Sequence, residues 1–113
     1  MLSWSSSETG QQIDLSAVAD GRPGVGLDHG DALLRFASAC GAYDDDELAA
    51  ARDALVAETD EAFMVDAAAV AANFEMMTRL ADATGACLRP EQLVASASMR
   101  DELGLDAFPS ART

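Results

Sequence analysis

Residues 62–77 read AFMVDAAAVAANFEMM, and this stretch decides the fold. Only Asp66, Asn73 and Glu75 interrupt its apolar residues. Thr59 or Asp60 precedes it as a candidate N-cap, and Gly85 follows as a candidate left-handed C-terminal stop. The pattern therefore predicts a long helix over about residues 60–84 that is apolar on nearly all sides.

A helix that is apolar on nearly all sides needs protein around it. At 1.5 Å per residue this helix is about 36 Å long, and the two shorter helices before it are too small to wrap it. The sequence therefore predicts an all-α fold, a small helical bundle built on a long central apolar helix and completed by oligomerisation. We expect a homo-oligomer joined through this helix, and we expect Met64, Phe74, Met76 and Met77 to be core residues.

Two shorter helices are predicted upstream of the central one. The first covers about residues 29–40, with Asp28 as its cap and Gly41 as its end. Its expected apolar stripe comprises Leu33, Leu34, Phe36, Ala37 and Cys40. The second covers about residues 45–57, and acidic residues 44–47 suit the positive end of its dipole. Its expected inward residues are Leu48, Ala51, Leu55 and Val56.

The two ends of the chain are predicted to be less regular. Residues 1–28 are rich in Ser and Gly, which predicts a flexible arm that holds at most a short helix near residues 13–19. Downstream, proline at the start of residues 90–98 suits the first turn of a weak helix, and residues 99–103 add a further turn. The predicted organisation is an N-terminal arm over 1–28 and one helical domain over 29–113.

The charge of the chain limits its partners. The chain has 7 basic residues, all Arg, and 20 acidic residues, which gives a net charge of −13. A surface of this sign repels phosphate backbones and anionic lipid, so we expect neither nucleic-acid nor membrane partners. No uncharged run of about 18 apolar residues occurs, and the first residues do not read as a signal peptide. The expected compartment is the cytoplasm.

The central stretch resembles a known family of proteins. Residues 63–86, FMVDAAAVAANFEMMTRLADATGA, are similar to the closing core helix of the carboxymuconolactone decarboxylase and alkylhydroperoxidase-like superfamily. The matching positions are Asn73, Phe74, Arg79, Ala81, Asp82 and Gly85. Residues 30–39, GDALLRFASA, resemble the family's preceding helix, and residues 99–112, MRDELGLDAFPSAR, resemble the tails of some members. The resemblance implies the C-terminal half of the alkylhydroperoxidase-like architecture.

The family's thiol chemistry does not carry over to this chain. Its peroxidatic members have a Cys-x-x-Cys pair followed by His, helped by a Glu, and two thiols one turn apart can close into a disulfide. Here Cys40 and Cys87 stand far apart, and His29 is the sole histidine. We therefore expect no catalytic residue, no cofactor and a non-catalytic helical oligomer. Two alternatives stay open: a divergent or split enzyme of the same superfamily, and a module that binds a small apolar ligand.

A set of polar residues on the central helix is the candidate site. It comprises Asp66, Asn73, Glu75, Arg79 and Asp82. Asp66 and Asn73 lie one heptad apart on one helix face, where they either line a polar pocket or fix the register of a subunit contact. Glu75 and Asp82 lie within reach of Arg79, which predicts a local ion-pair network. The ligand of such a pocket is not predicted.

The cysteines and the histidine have simpler interpretations. On the apolar stripe, Cys40 is expected to be a small buried hydrophobe, and Cys87 follows the end of the central helix. A Cys40–Cys87 bridge requires their Cα atoms to lie within about 7 Å. His29 is expected to be exposed in a first helical turn, because one histidine between two nearby carboxylates does not form a set of converging ligands. No metal site is predicted.

Overall fold

The described part of the chain, residue 10 and residues 12–109 of a computed structural model, is helical. Its elements are α1 (Leu15–Asp20), α2 (Gly30–Ala42), α3 (Asp45–Glu58), α4 (Glu61–Thr84), α5 (Pro90–Glu102) and a 3-10 turn (Leu105–Ala107). Those residues form no strand, so the predicted all-α class is confirmed. Predictions for residues 1–9, 11 and 110–113 lie outside the described residues.

Contacts divide the chain into two compact units, Met1–Ala72 and Asn73–Thr113. The division falls inside α4, which begins in the first unit and ends in the second. The predicted separation of an arm at residues 1–28 from a domain at residues 29–113 stays a prediction. Each unit is described separately below.

The core of the first unit lies between α2 and α3. Phe36 and Ala39 of α2 meet Ala51 and Leu55 of α3, and Leu55 is fully buried. Residues of the first part of α4 pack on this cluster: Phe63, Met64, Ala67 and Ala68. The predicted burial of Ala51 and Leu55 is therefore confirmed, and burial of a Leu side chain contributes about 1.5–3 kcal/mol.

The segment before α2 is held by hydrogen bonds of two aspartates. Asp14 caps α1, because its Oδ1 accepts a hydrogen bond from the Ala17 N–H at 3.0 Å. The backbone N–H of Asp14 also donates to the carbonyl of Val25 at 2.9 Å, and Val25 is buried. Asp31 Oδ1 accepts from the Gly24 N–H at 2.9 Å. These contacts tie the described part of residues 12–25 to the start of α2.

The predicted bounds of α2 lie close to the observed ones, but the residues assigned as its cap and its stop were wrong. Asp28 does not cap the helix: the N-cap is His29, with a left-handed φ of 57° and no side-chain capping bond. The nearby carboxylate of Asp31 instead accepts from the loop before the helix. Gly41 does not end the helix, which runs on to Ala42 before Tyr43 turns left-handed at φ 57°. A glycine inside a helix costs only about 1 kcal/mol, so it does not by itself end one.

The apolar stripe of α2 also differs from its prediction in detail. Phe36 is buried as expected, but Ala37 is exposed and Ala39 is buried in its place. Cys40, expected to be buried, is half-buried and packs against the edge of the core. The buried side of the helix is therefore turned slightly from the predicted one.

The ends of α4 match the sequence signals. Asp60 Oδ1 accepts a hydrogen bond from the Phe63 N–H at 2.8 Å, which caps the first turn. At the other end Gly85 takes a φ of +67°, and the next N–H, that of Ala86, donates to the Ala81 carbonyl at 3.0 Å. No residue of α4 is buried. Within the described ranges, no helix has the length and apolar character needed to cross a membrane.

The second unit holds the end of α4, α5 and the 3-10 turn. Sequence predicted a weak helix over residues 90–98 and a separate turn over 99–103, but α5 is one helix from Pro90 to Glu102. Gln92 Oε1 accepts from the Arg89 N–H at 3.0 Å and caps its start. After α5, Leu105 is half-buried, whereas Phe108 is exposed.

Candidate functional site

The five polar residues of the predicted site all lie on α4, and all five are exposed. Asp66 belongs to the first unit, and the other four, Asn73, Glu75, Arg79 and Asp82, belong to the second. None of the five lines any of three clefts found among the described residues. None of these three clefts is therefore the polar pocket that the sequence suggested.

Two contacts link the polar residues of the second unit to their own helix. Arg79 Nε donates to Glu75 Oε1 at 3.0 Å, which confirms the predicted ion pair between these residues. Asn73 Nδ2 donates to the thioether sulfur of Met77 at 3.7 Å. Both contacts join residues four apart, on adjacent turns of the helix. Because both side chains of the ion pair are largely exposed, the pair contributes little to stability.

The second unit also carries a row of exposed apolar side chains, which we call the α4 apolar face. It comprises Met76, Met77 and Leu80, which are 49% to 61% exposed; Phe74, 46% exposed, lies on a different side of the helix. Sequence reasoning expected Phe74, Met76 and Met77 to be core residues, but all three are exposed in the single chain. Exposed apolar groups that lie next to one another mark interaction surfaces more often than isolated ones do.

Charged and apolar residues occupy different sides of this part of α4. At 3.6 residues per turn, Met76, Met77 and Leu80 lie on one side, together with the uncharged Asn73. Glu75, Arg79 and Asp82 follow the same helical spacing on the opposite side. The α4 apolar face therefore carries no charged residue, although the chain as a whole has a net charge of −13.

The cysteines and the histidine do not form a reactive cluster. Cys40 and Cys87 are both free thiols, and the Cys87 thiol donates to the Gly85 carbonyl at 3.4 Å. Nδ1 of His29 lies 3.6 Å from Glu58 Oε1, and its ring meets the Phe63 ring edge-on with centroids 5.7 Å apart. No three His, Cys, Asp or Glu residues among those described are placed to hold a metal ion.

One cleft of the first unit was not predicted from the sequence. It has a volume of about 480 Å³, and its lining includes the apolar residues Leu34, Ala39 and Ala42 beside the charged residues Arg35 and Glu47. Arg35 and Glu47 form a two-point ion pair, with Nε to Oε1 at 2.7 Å and Nη2 to Oε2 at 3.1 Å. We call this space the α2 cleft.

The Arg35–Glu47 contact shifts the pKa of both groups. The hydrogen bond from Arg35, together with its positive charge, lowers the pKa of Glu47 below its ordinary value of 4.5. The same hydrogen bond and the negative charge of Glu47 raise the pKa of Arg35. Both groups therefore stay ionised at neutral pH and bind each other. Arg35 lies on α2 and Glu47 lies twelve positions later, on α3. The spacing rules for residues within one helix therefore do not predict this pair.

Comparison with known proteins adds no relative. No protein-family model, curated protein or solved structure matches the chain.

Proposed function

We propose that this chain is a non-catalytic helical protein that works as a homo-oligomer joined through α4, related to the carboxymuconolactone decarboxylase-like proteins. The exposed α4 apolar face is the observation that carries the proposal. Burial of a Leu or Met side chain contributes about 1.5–3 kcal/mol, so three such side chains left in water represent a substantial unused driving force. A partner that covers them gains this free energy.

A second copy of the chain fits this face better than a charged partner does. Two chains of net charge −13 repel each other wherever their charged surfaces meet. The α4 apolar face is free of charge, so copies can meet there with the least repulsion. Asn73, at the edge of the face, has an amide that both donates and accepts hydrogen bonds. Two copies related by a twofold axis can therefore pair this residue and fix their register.

The separation of the two thiols supports a non-catalytic role. The resemblance covers the Ala-Asp-x-x-Gly ending of α4, which here is Ala81, Asp82 and Gly85. The thiol–histidine motif of the peroxidatic members is not in this sequence, and Cys40 and Cys87 are separate free thiols. The cytoplasm is the proposed compartment, because thiols stay reduced there.

Light scattering coupled to size exclusion tests the assembly. The wild-type chain at micromolar concentration is expected to have a mass that is a multiple of 11.8 kDa. Leu80→Gln places a polar group in the α4 apolar face and should weaken the assembly by about tenfold or more, from a loss near 1.5 kcal/mol per copy. Thr78→Gln, on the other side of the same helix, is the matched control and should leave the mass unchanged.

Two results would contradict the proposal. A wild-type chain that is monomeric at these concentrations would remove the assembly. Thiol-dependent consumption of peroxide by the purified protein, lost in Cys40→Ala or Cys87→Ala, would replace the non-catalytic role with the divergent-enzyme alternative.

The α2 cleft favours a second candidate function, the binding of a small apolar ligand. Its volume of about 480 Å³ lies within the range of ligand sites, and such sites combine apolar walls with a few polar groups. Titration with indole, followed by amide NMR, should shift the signals of Leu34 and Ala42 in saturable fashion. Ala42→Trp, which fills the cleft, should abolish those shifts. Shifts spread evenly over the chain would count against a site in this cleft.

A further inference from the structure

One contact of the α4 apolar face involves a group that can be modified. Asn73 Nδ2 donates to the sulfur of Met77 at 3.7 Å, and both side chains are exposed. Thioether sulfur is a weak hydrogen-bond acceptor. A sulfoxide oxygen is a much more polar acceptor, and oxidation to the sulfoxide converts an apolar methionine side chain into a polar one. The amide donor is therefore already placed beside the atom that would become polar.

We infer that Met77 is a site of oxidation to methionine sulfoxide, that Asn73 holds the sulfoxide oxygen, and that this modification prevents assembly through the α4 apolar face. The effect on assembly rests on the proposed function, whereas the modification and the contact with Asn73 do not. The separation of 3.7 Å between Nδ2 and the sulfur leaves room for an oxygen about 2.9 Å from Nδ2.

The chemistry requires only a peroxide as the oxidant. A lone pair of the Met77 sulfur attacks one peroxide oxygen, and the O–O bond breaks. That oxygen stays on sulfur as the sulfoxide oxygen, and its proton passes to the departing oxygen. When the oxidant is hydrogen peroxide, the departing oxygen leaves as water. The sulfur loses two electrons and the peroxide gains them. No metal, thiol or further reductant enters this step.

Exposure separates Met77 from the methionine of the first unit that packs on its core. Met76 and Met77 are 58% and 49% exposed, whereas Met64 is half-buried and packs against the core. Access of peroxide to sulfur governs methionine oxidation. In an assembly that covers the α4 apolar face, the dissociated copies are the ones that react. Their sulfoxide then opposes reassembly, because a polar group would have to enter an apolar contact.

The test uses the full chain with Cys40 and Cys87 replaced by Ala, so that thiols do not react. In the Met76→Leu variant, Met77 is the sole methionine of the face. Hydrogen peroxide should oxidise it before Met64, as peptide mass spectrometry would show. The assembly constant by light scattering should fall about tenfold or more, as expected when a polar group enters an apolar contact. The Met76→Leu, Met77→Leu double variant should keep its assembly after the same treatment.

The side-chain amide of Asn73 gives an independent signature. In the Met76→Leu variant its two proton signals should move downfield on oxidation, because the acceptor changes from sulfur to oxygen. In the double variant they should not move. Unchanged Asn73 signals after full oxidation of Met77 would overturn its role as the donor.

Other outcomes separate the two proposals. A chain that is monomeric before peroxide is added would contradict the proposed function, although the Asn73 shift would still test the modification. If the assembly survives full oxidation of Met77, the inference that this oxidation prevents assembly is overturned. If Met77 is oxidised no faster than Met64, then Met77 is not the preferred site of oxidation, and the proposed modification is overturned.

Discussion

Arg100 and Asp106 hold the end of α5 to the 3-10 turn that follows it. The Arg100 Nη1 donates to both carboxylate oxygens of Asp106, at 2.7 Å to Oδ1 and 2.5 Å to Oδ2. The same guanidinium donates to the Leu93 carbonyl at 2.9 Å and to Ser96 Oγ at 3.1 Å. Its side chain is only 14% exposed. Arg100 thus joins two other positions of α5, Leu93 and Ser96, to Asp106 of the turn within the second unit.

Arg100→Met should destabilise the second unit. The replacement keeps the apolar stem but removes the guanidinium, so Asp106 loses its partner and Leu93 loses a donor. Hydrogen bonds to charged groups contribute about 1.5–3 kcal/mol each when buried, and the exposure of Asp106 reduces this, so we expect a loss near 2 kcal/mol. Hydrogen exchange measured along residues 93–106 would localise the effect.

Arg89→Met is the matched control for that substitution. Its guanidinium lies 3.4 Å from Glu91, and both side chains are largely exposed. Exposed pairs of this kind contribute about 0–1 kcal/mol. Equal losses in the two variants would show that the Arg100 contacts do not stabilise the unit beyond a surface ion pair.

Gly26→Ala should destabilise the loop before α2 more than Gly24→Ala does. Both glycines have a positive φ, +88° and +90°, so both variants take on similar backbone strain of about 1–2 kcal/mol. A Cβ on Gly26 would also lie against the Gln12 carbonyl, whereas a Cβ on Gly24 meets nothing within 4 Å. To relieve the clash, the chain must move near the Asp14–Val25 hydrogen bond.

Denaturant unfolding of the two glycine variants measures the difference. We expect Gly26→Ala to lose at least about 1 kcal/mol more than Gly24→Ala, in line with other overpacked sites. Loss of amide protection at Asp14, whose N–H donates to Val25, should accompany it. Equal stability of the two variants would mean that the contact between residues 12–14 and 24–26 is not rigid.

Sequence signals predicted α4 well because its ends are set locally. Asp60 caps the first turn, and Gly85 ends the last turn. The hydrogen bonds at both ends join residues at most five positions apart. The ends of α2 are set differently. Asp31 accepts from the N–H of Gly24, seven residues away, so it ties a loop that local capping rules do not describe.

At the candidate site, too, the sequence predicts contacts within one helix but not contacts between helices. The Glu75–Arg79 pair follows from their spacing of four on a helix, and the structure confirms it. The two-point contact between Arg35 and Glu47 depends on how α2 packs against α3, and nothing in either segment alone predicts it. The exposure of Phe74 could not be predicted either, because an apolar residue in a helical pattern fits a core and an assembly surface equally well.

Leu55→Ala tests the core of the first unit. Leu55 is fully buried among Phe36, Ala39 and Ala51, so its truncation leaves a cavity and should cost about 3 kcal/mol. Val65→Ala removes apolar atoms from an exposed position of the same unit and should change stability by less than about 0.5 kcal/mol. Thermal and denaturant unfolding would measure both. A small effect of Leu55→Ala would show that the α2–α3 core is loosely packed.

Glu47→Gln tests the ion pair at the α2 cleft through its pH dependence. The hydrogen bond from Arg35 lowers the pKa of Glu47 in the folded chain below its ordinary value of 4.5. The unfolded chain therefore binds more protons in this range, and the pair stabilises the fold fully above the unfolded pKa. As the pH falls through the lower folded pKa, Glu47 becomes protonated and the contribution is lost.

The thermal midpoints of the wild type and of Glu47→Gln should therefore differ at pH 7 and converge as the pH is lowered below 4.5. The substitution keeps the backbone N–H at position 47, which donates to Asp44 Oδ1 at 3.0 Å, so the cap of α3 is preserved and the difference reports the side chain alone. Glu91→Gln removes one negative charge without removing the Arg35 contact, and it controls for the change in net charge. A difference between the wild type and Glu47→Gln that stays constant across this pH range would show that the carboxylate of Glu47 is not paired with Arg35 in solution.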